Sequence, residues 1–170
     1  LMPMSFITDL TRAWLTRSLK PFTFKNEYDQ MLPYADCENL GLYIHIPFCK
    51  SKCAYCNFFS LASESKINDY VEALKKEIVL RKNYLGGEIV KTIYFGGGTP
   101  SLLSVKNIEE ILEILNKNYE IISSPEITLE INPDTIDREK MSSLKQIGVN
   151  RMSVGIQSFD DEDLRYLGRR

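Results

Sequence analysis

The sequence has 170 residues, 44% of them hydrophobic and 26% charged, with a net charge of −2. This is the composition of a folded chain with one core of ordinary size, and it has no run of basic residues that would argue for nucleic acid as a partner. No apolar stretch approaches the roughly 20 residues that a membrane span needs, and the N-terminus lacks the apolar core of a secretory signal, so the expected location is cytoplasmic.

Residues 1–40 read apart from the rest. Phe6, Leu10 and Trp14 recur every four residues, which predicts an amphipathic helix over about 5–19 that ends at Pro21 and uses its apolar stripe for packing. Residues 22–40 show no period and contain Pro33. We read 1–40 as an N-terminal arm, helical and then extended, on a core that occupies 41–170.

From residue 41 a rhythm begins. Leu42-Tyr43-Ile44-His45-Ile46 is a short strand pattern closed by Pro47. Ile67, Tyr70, Val71, Leu74 and Ile78 fall on one helical face, and Gly86-Gly87 marks a turn. Ile93-Tyr94-Phe95 is a second strand, followed by Gly96-Gly97-Gly98-Thr99-Pro100. Ser104 is placed to cap a helix whose apolar face is Ile108, Ile111, Leu112 and Leu115. A third strand runs over 126–131. Met141, Leu144 and Ile147 predict a third helix stopped at Gly148. The fourth strand is expected over 151–156, and Asp160 then caps a last helix. Such β/α alternation builds a parallel sheet covered by helices, with every strand's C-terminal end on one side. Four parallel strands cannot close a barrel. The sequence is therefore expected to belong to a longer protein, or to rely on something else to cover the sheet edge.

Chemistry concentrates at those strand ends. Of the four cysteines, Cys49, Cys53 and Cys56 follow the first strand in a Cys-x3-Cys-x2-Cys pattern, while Cys37 stands apart. Thiolates are the usual ligands of iron–sulfur clusters. Three of them on one loop can hold a 4Fe-4S cluster and leave one iron open to a small molecule. Competing readings are a zinc site that adds His45, and an electron-transfer cluster that adds Cys37. His45, the single histidine, either touches the cluster or packs beside it. Glycines 96–98 permit close approach of a ligand and can offer it their N–H groups, or simply make a tight turn. Glu130 ends the third strand, and Gln157 follows the fourth. Cysteines, glycines, a carboxylate and an amide thus fall at four successive strand ends, where parallel α/β folds bind ligands.

Taken together, Tyr43–Cys49 (YIHIPFC), Tyr94–Ser101 (YFGGGTPS), Glu130–Pro133 (EINP) and Gly148–Phe159 (GVNRMSVGIQSF) closely resemble the radical S-adenosylmethionine (SAM) proteins of the oxygen-independent coproporphyrinogen III oxidase family, which includes related haem chaperones. The resemblance covers about 42–170. It implies an α/β fold, a partial (β/α) radical SAM barrel with about four of six βα units present. Cys49, Cys53 and Cys56 would ligate the 4Fe-4S cluster. Gly97, Gly98 and Thr99 would lie against SAM, and Tyr43, Tyr55, Glu130, Gln157 and Arg169 match further SAM-contacting positions. No side chain is assigned a catalytic role. In such enzymes the reduced cluster splits SAM to give a 5′-deoxyadenosyl radical, which in the oxidases takes hydrogen from porphyrinogen propionates before decarboxylation. The implied partners are SAM, a porphyrinogen or haem, and an electron donor such as flavodoxin or ferredoxin. One position departs from the oxidase pattern: two residues after Cys56, where the oxidases carry a further cysteine, stands Phe58. That is more like the haem-chaperone branch, with haem as an additional ligand. The alternatives are an oxidase or another haem-processing member, and a Phe58-Phe59 pair that only packs the loop onto the barrel.

Overall fold

The structure is a computed structural model, and residues 40–169 are described. The expected arm, its helix and Cys37 lie outside the described residues. Four parallel strands form one sheet in the order β1-β2-β3-β4: Leu40–Ile46, Val90–Gly97, Ile121–Ile131 and Arg151–Val154. Between and after them come helices α1 (Ile67–Leu80), α2 (Val105–Asn118), α3 (Arg138–Gln146) and α4 (Asp161–Tyr166).

Alternation along the strands sorts the two sheet faces. Ile44 and Ile46, Ile93 and Phe95, and Ile127, Leu129 and Ile131 are buried on the face covered by helices. There they meet Val71 and Ile78 of α1, Ile108, Ile111, Leu112 and Leu115 of α2, and Leu144 of α3. The register pairs Tyr43 with Tyr94, and Glu130 with Ser153. These intervening residues share the other face, which is polar and open, as the inner face of a partial barrel would be.

The caps follow the sequence closely. Ser104 accepts from the Asn107 N–H at 3.1 Å, and Asp160 accepts from Glu162 and Asp163. Ser104→Ala should lower stability by about 1 kcal/mol, the usual worth of such a cap. A urea titration that shows no shift of the midpoint would contradict this. Two short 3-10 turns, Pro100–Leu102 and Pro133–Thr135, were not expected. Each begins with a proline just past a strand, the signal that could have disclosed it. The fourth strand is shorter than expected, ending at Val154. Past that point the chain turns sharply, and the Ile156 N–H donates back to the Val154 carbonyl. No helix among the described residues is long and apolar enough to cross a membrane.

Candidate functional site

The cysteine loop leaves β1 at Pro47 and returns at Leu61. Its base is closed by backbone bonds: Cys49 N–H donates to Leu61 O at 3.0 Å, and Leu61 N–H to Pro47 O at 2.6 Å. Beneath it, Phe48 is buried against the ring edge of Tyr70. Tyr70 in turn donates its hydroxyl to the His45 carbonyl. A rigid apolar plug thus fixes both ends of a loop whose middle carries the thiols. Cys49, Cys53 and Cys56 are all free and partly exposed.

The glycine run lies alongside this loop. Gly98 N–H donates to Ile46 O at 2.8 Å and Thr99 N–H to Phe48 O at 2.7 Å, while Thr99 Oγ1 reaches Cys49 Sγ at 3.5 Å. A Cβ at Gly98 would stand 2.7 Å from Phe48 O and 3.0 Å from Cys49 Sγ, so only glycine lets the two loops touch. Gly97 has φ +114°, and a Cβ there would meet the His45 ring at 2.6 Å. Its N–H donates to Glu130 Oε2 at 3.1 Å. The N–H groups at 97, 98 and 99 thus have protein acceptors, and the glycines at 97 and 98 allow β2 to pack closely against β1 and its loop.

Glu130 gathers donors from two directions. Besides Gly97 N–H, the Tyr94 hydroxyl donates to Oε1 at 2.7 Å. This bond to the carboxylate, together with burial, holds the Tyr94 hydroxyl above its ordinary pKa. Tyr43 stacks on Tyr94, with ring centroids 5.9 Å apart. Tyr94 carries no site role in the sequence reading. The period-2 alternation that puts it on the face of Glu130 is visible only once the strand register is known.

Three residues past β4, Gln157 adopts φ 62°, an uncommon conformation for a residue with a side chain. Arg169, just past α4, donates to Gly155 O at 2.6 Å and to Gln157 Oε1. The strained residue is thus held by a guanidinium from outside the sheet. Arg169 also acts on the cysteine loop. Burial raises the pKa of Tyr55 and the nearby Arg169 charge opposes that rise.

These pieces enclose one cavity of about 710 Å³, within the range of small-molecule sites. Cys49, Cys53, Tyr55 and Cys56 line it on one side, and Gly97, Gly98, Thr99 and Glu130 on another. Gln157 and Arg169 complete it. Of the residues singled out in the sequence, Tyr43 does not line it. Nor does His45, whose Nε2 lies 3.1 Å from Phe59 O and whose Nδ1 is 3.4 Å from the Tyr43 hydroxyl. Phe58 does line it and is more than half exposed, while Phe59, also more than half exposed, has its ring centroid 6.3 Å from that of His45, the two rings tilted.

Among the described residues no three His, Cys, Asp or Glu side chains converge closely enough to hold a single metal ion. One zinc ion needs its sulfurs about 2.3 Å from a common centre. A cubane instead takes its cysteines on separate irons and so accepts thiols spread around a loop. Three free thiols on one loop, facing one cavity, have the donor chemistry of the cluster.

Comparison with known proteins follows the same line. The radical SAM superfamily description matches residues 43–170. The chain is 42% identical to the haem chaperone HemW of Escherichia coli (strain K12) over 132 residues, 76% of this chain and 35% of that protein. It is 35% identical to the oxygen-independent coproporphyrinogen III oxidase of the same organism, over 76% of this chain and 29% of that protein. A solved structure of the E. coli coproporphyrinogen III oxidase HemN, described as a radical SAM enzyme, superimposes with a TM-score of 0.73 at 34% identity. It covers 78% of this chain and 31% of that one. The chain thus spans about a third of the length of these relatives.

Proposed function

The chain belongs to the radical SAM superfamily, and we propose that it serves as the cofactor-binding part of a haem-handling protein of the haem-chaperone kind. Membership implies a 4Fe-4S cluster and SAM. We assign the cluster to Cys49, Cys53 and Cys56, and SAM to the cavity beside it. When bound, cluster and SAM together supply one-electron, radical-forming chemistry.

The residues of the chain have the tasks of holding and orienting. The Phe48–Tyr70 plug and the Thr99 contact keep the Cys49 thiol at the mouth of the cavity. Glu130, already fixed by Tyr94 and Gly97, offers its remaining lone pairs to a polar ligand. Gln157 and Arg169 add an amide and a cation to the lining, Arg169 near Tyr55 of the cysteine loop. Haem and an electron donor, such as flavodoxin or ferredoxin, are the partners assigned to this reading. The observation that carries it is that ten of the residues singled out in the sequence line one cavity, nine of them from strand ends and the loops after them and Arg169 from beyond α4.

The test is spectroscopic. The full-length protein, reconstituted anaerobically, should show a broad visible absorption that dithionite bleaches. SAM should then change the electron paramagnetic resonance spectrum of the reduced cluster, because one iron has no cysteine. A spectrum that is the same with and without saturating SAM would remove the assignment. The second reading, an oxidase, is favoured by the superposition on the oxidase structure and is decided by turnover.

A further inference from the structure

The cavity has a smaller neighbour of about 340 Å³, bounded in part by Ser101, Thr135 and Lys140. Lys50 and Asp134 line both spaces, so this pair is the partition between them. Lys50 Nζ donates to Asp134 Oδ2 at 3.3 Å and to the Asp134 carbonyl at 3.2 Å. Lys50 directly follows Cys49, whereas Asp134 sits in the 3-10 turn after β3, 84 positions away.

The Asp134 end is a fixed post. Thr135 Oγ1 donates to Asn132 O at 2.7 Å, and Ser101 Oγ bonds the Thr135 hydroxyl. Lys140 Nζ ties Ser101 O at 2.6 Å and Thr135 O at 3.5 Å. The Lys50 end is the opposite case. Among the described residues, no other side-chain hydrogen bond holds the stretch 50–52, which separates Cys49 from Cys53. Among the described residues the loop is pinned at its base and, between its first two thiols, by this pair alone.

We propose that Lys50 is a positioning residue for the cluster: its ion pair with Asp134 straps the first turn of the cysteine loop to the end of β3 and thereby sets Cys53 relative to Cys49. The inference rests on the cluster assignment above. The pair is about half exposed, and an exposed pair alters an equilibrium by no more than about fivefold. Loss of the strap therefore loosens the cluster without abolishing it.

The experiment measures anaerobic loss of iron from the reconstituted full-length protein to a ferrous chelator at low salt. Lys50→Met and Asp134→Asn should each release iron two- to fivefold faster than the unsubstituted protein, and added salt should narrow the gap. Lys50→Arg should behave like the unsubstituted protein. The exchange K50E with D134K should bring the rate back toward that of the unsubstituted protein and keep the SAM-dependent resonance spectrum, since it rebuilds the ion pair with the charges reversed, though not the bond to the residue-134 carbonyl. If Lys50→Met and Asp134→Asn both release iron at the original rate, the proposal is overturned. It is equally overturned if the exchange fails to rescue, because the lysine charge beside the cluster, and not the strap, would then be what matters. A protein that takes up no 4Fe-4S cluster would remove this inference and the proposed function together, an outcome distinct from either of the others.

Discussion

Cys53→Ser should abolish the cluster. After anaerobic reconstitution, iron should fall from about four per chain to background, and the visible band should vanish. Cys53 stands at the middle of the loop, partly exposed, with its neighbour Tyr55 on the cavity wall. A serine there changes one atom and fills the same space, so the far-ultraviolet circular dichroism should not move. What changes is chemistry: a hydroxyl is a poor substitute for a thiolate on iron. With only three cysteines in the loop, losing one leaves two, and no set of three His, Cys, Asp or Glu side chains converges among the described residues to replace it. Cys37→Ser is the matched control and should retain full iron, since twelve positions and strand β1 separate Cys37 from Cys49. Retention of a full cluster by Cys53→Ser would mean that the thiols do not act as the ligand set.

Much of the fold could be read from the sequence where burial alone decides it. The apolar positions Ile108, Ile111, Leu112 and Leu115 are the four residues that α2 buries, because a helix lying on a sheet must hide one stripe. Strand ends were harder to read. β2 begins at Val90 instead of Ile93, since Lys91 and Thr92 look like loop residues unless one sheet face is known to be polar. β3 likewise takes in Ser123, Ser124 and Pro125. In α3 only Leu144 is buried and Met141 is largely exposed, as befits a short helix at the edge of the described core.

The candidate site was legible for a topological reason. Right-handed crossovers bring successive strand ends together, so residues scattered from Cys49 to Gln157 had to share one edge. Contacts that depend on register were not legible. The Tyr94–Glu130 bond spans 36 positions and the Lys50–Asp134 pair 84, and nothing local in the sequence signals either. The glycines show a subtler limit. Gly97→Val, which looks like a block to SAM, would first displace the His45 ring. That variant therefore reports on the packing of β1 against β2 before it reports on any ligand.

The full-length protein, given SAM, a reductant and coproporphyrinogen III, should form no protoporphyrinogen IX, and it should bind haem. The argument turns on Phe58. It follows Cys56 by two residues, at the place where the resemblance to the oxidases implies a further cysteine, and it lines the cavity with 67% of its surface exposed. A phenyl ring can neither ligate iron nor give up a hydrogen atom or proton as a thiol can. Had Phe58 and Phe59 been buried beneath the loop, the substitution would be a matter of packing. Among the described residues Phe58 is 67% exposed, and Phe59 is 71% exposed with its ring 6.3 Å from that of His45. An open aromatic ring at a cavity mouth suits a flat apolar macrocycle, against which it can stack for about 0.5–1.5 kcal/mol beyond the area it buries. Phe58→Ala should therefore weaken haem binding by roughly tenfold or more, since about 1.4 kcal/mol corresponds to tenfold and the lost apolar contact area adds to the stacking, while cluster content stays unchanged. Haem titration followed by absorbance measures the first effect, and iron analysis the second. For the reaction itself, anaerobic incubation followed by chromatography and mass spectrometry is decisive. Loss of two carbon dioxide units from the substrate over multiple turnovers would refute the chaperone reading and make the chain part of an oxidase that works without the fourth cysteine.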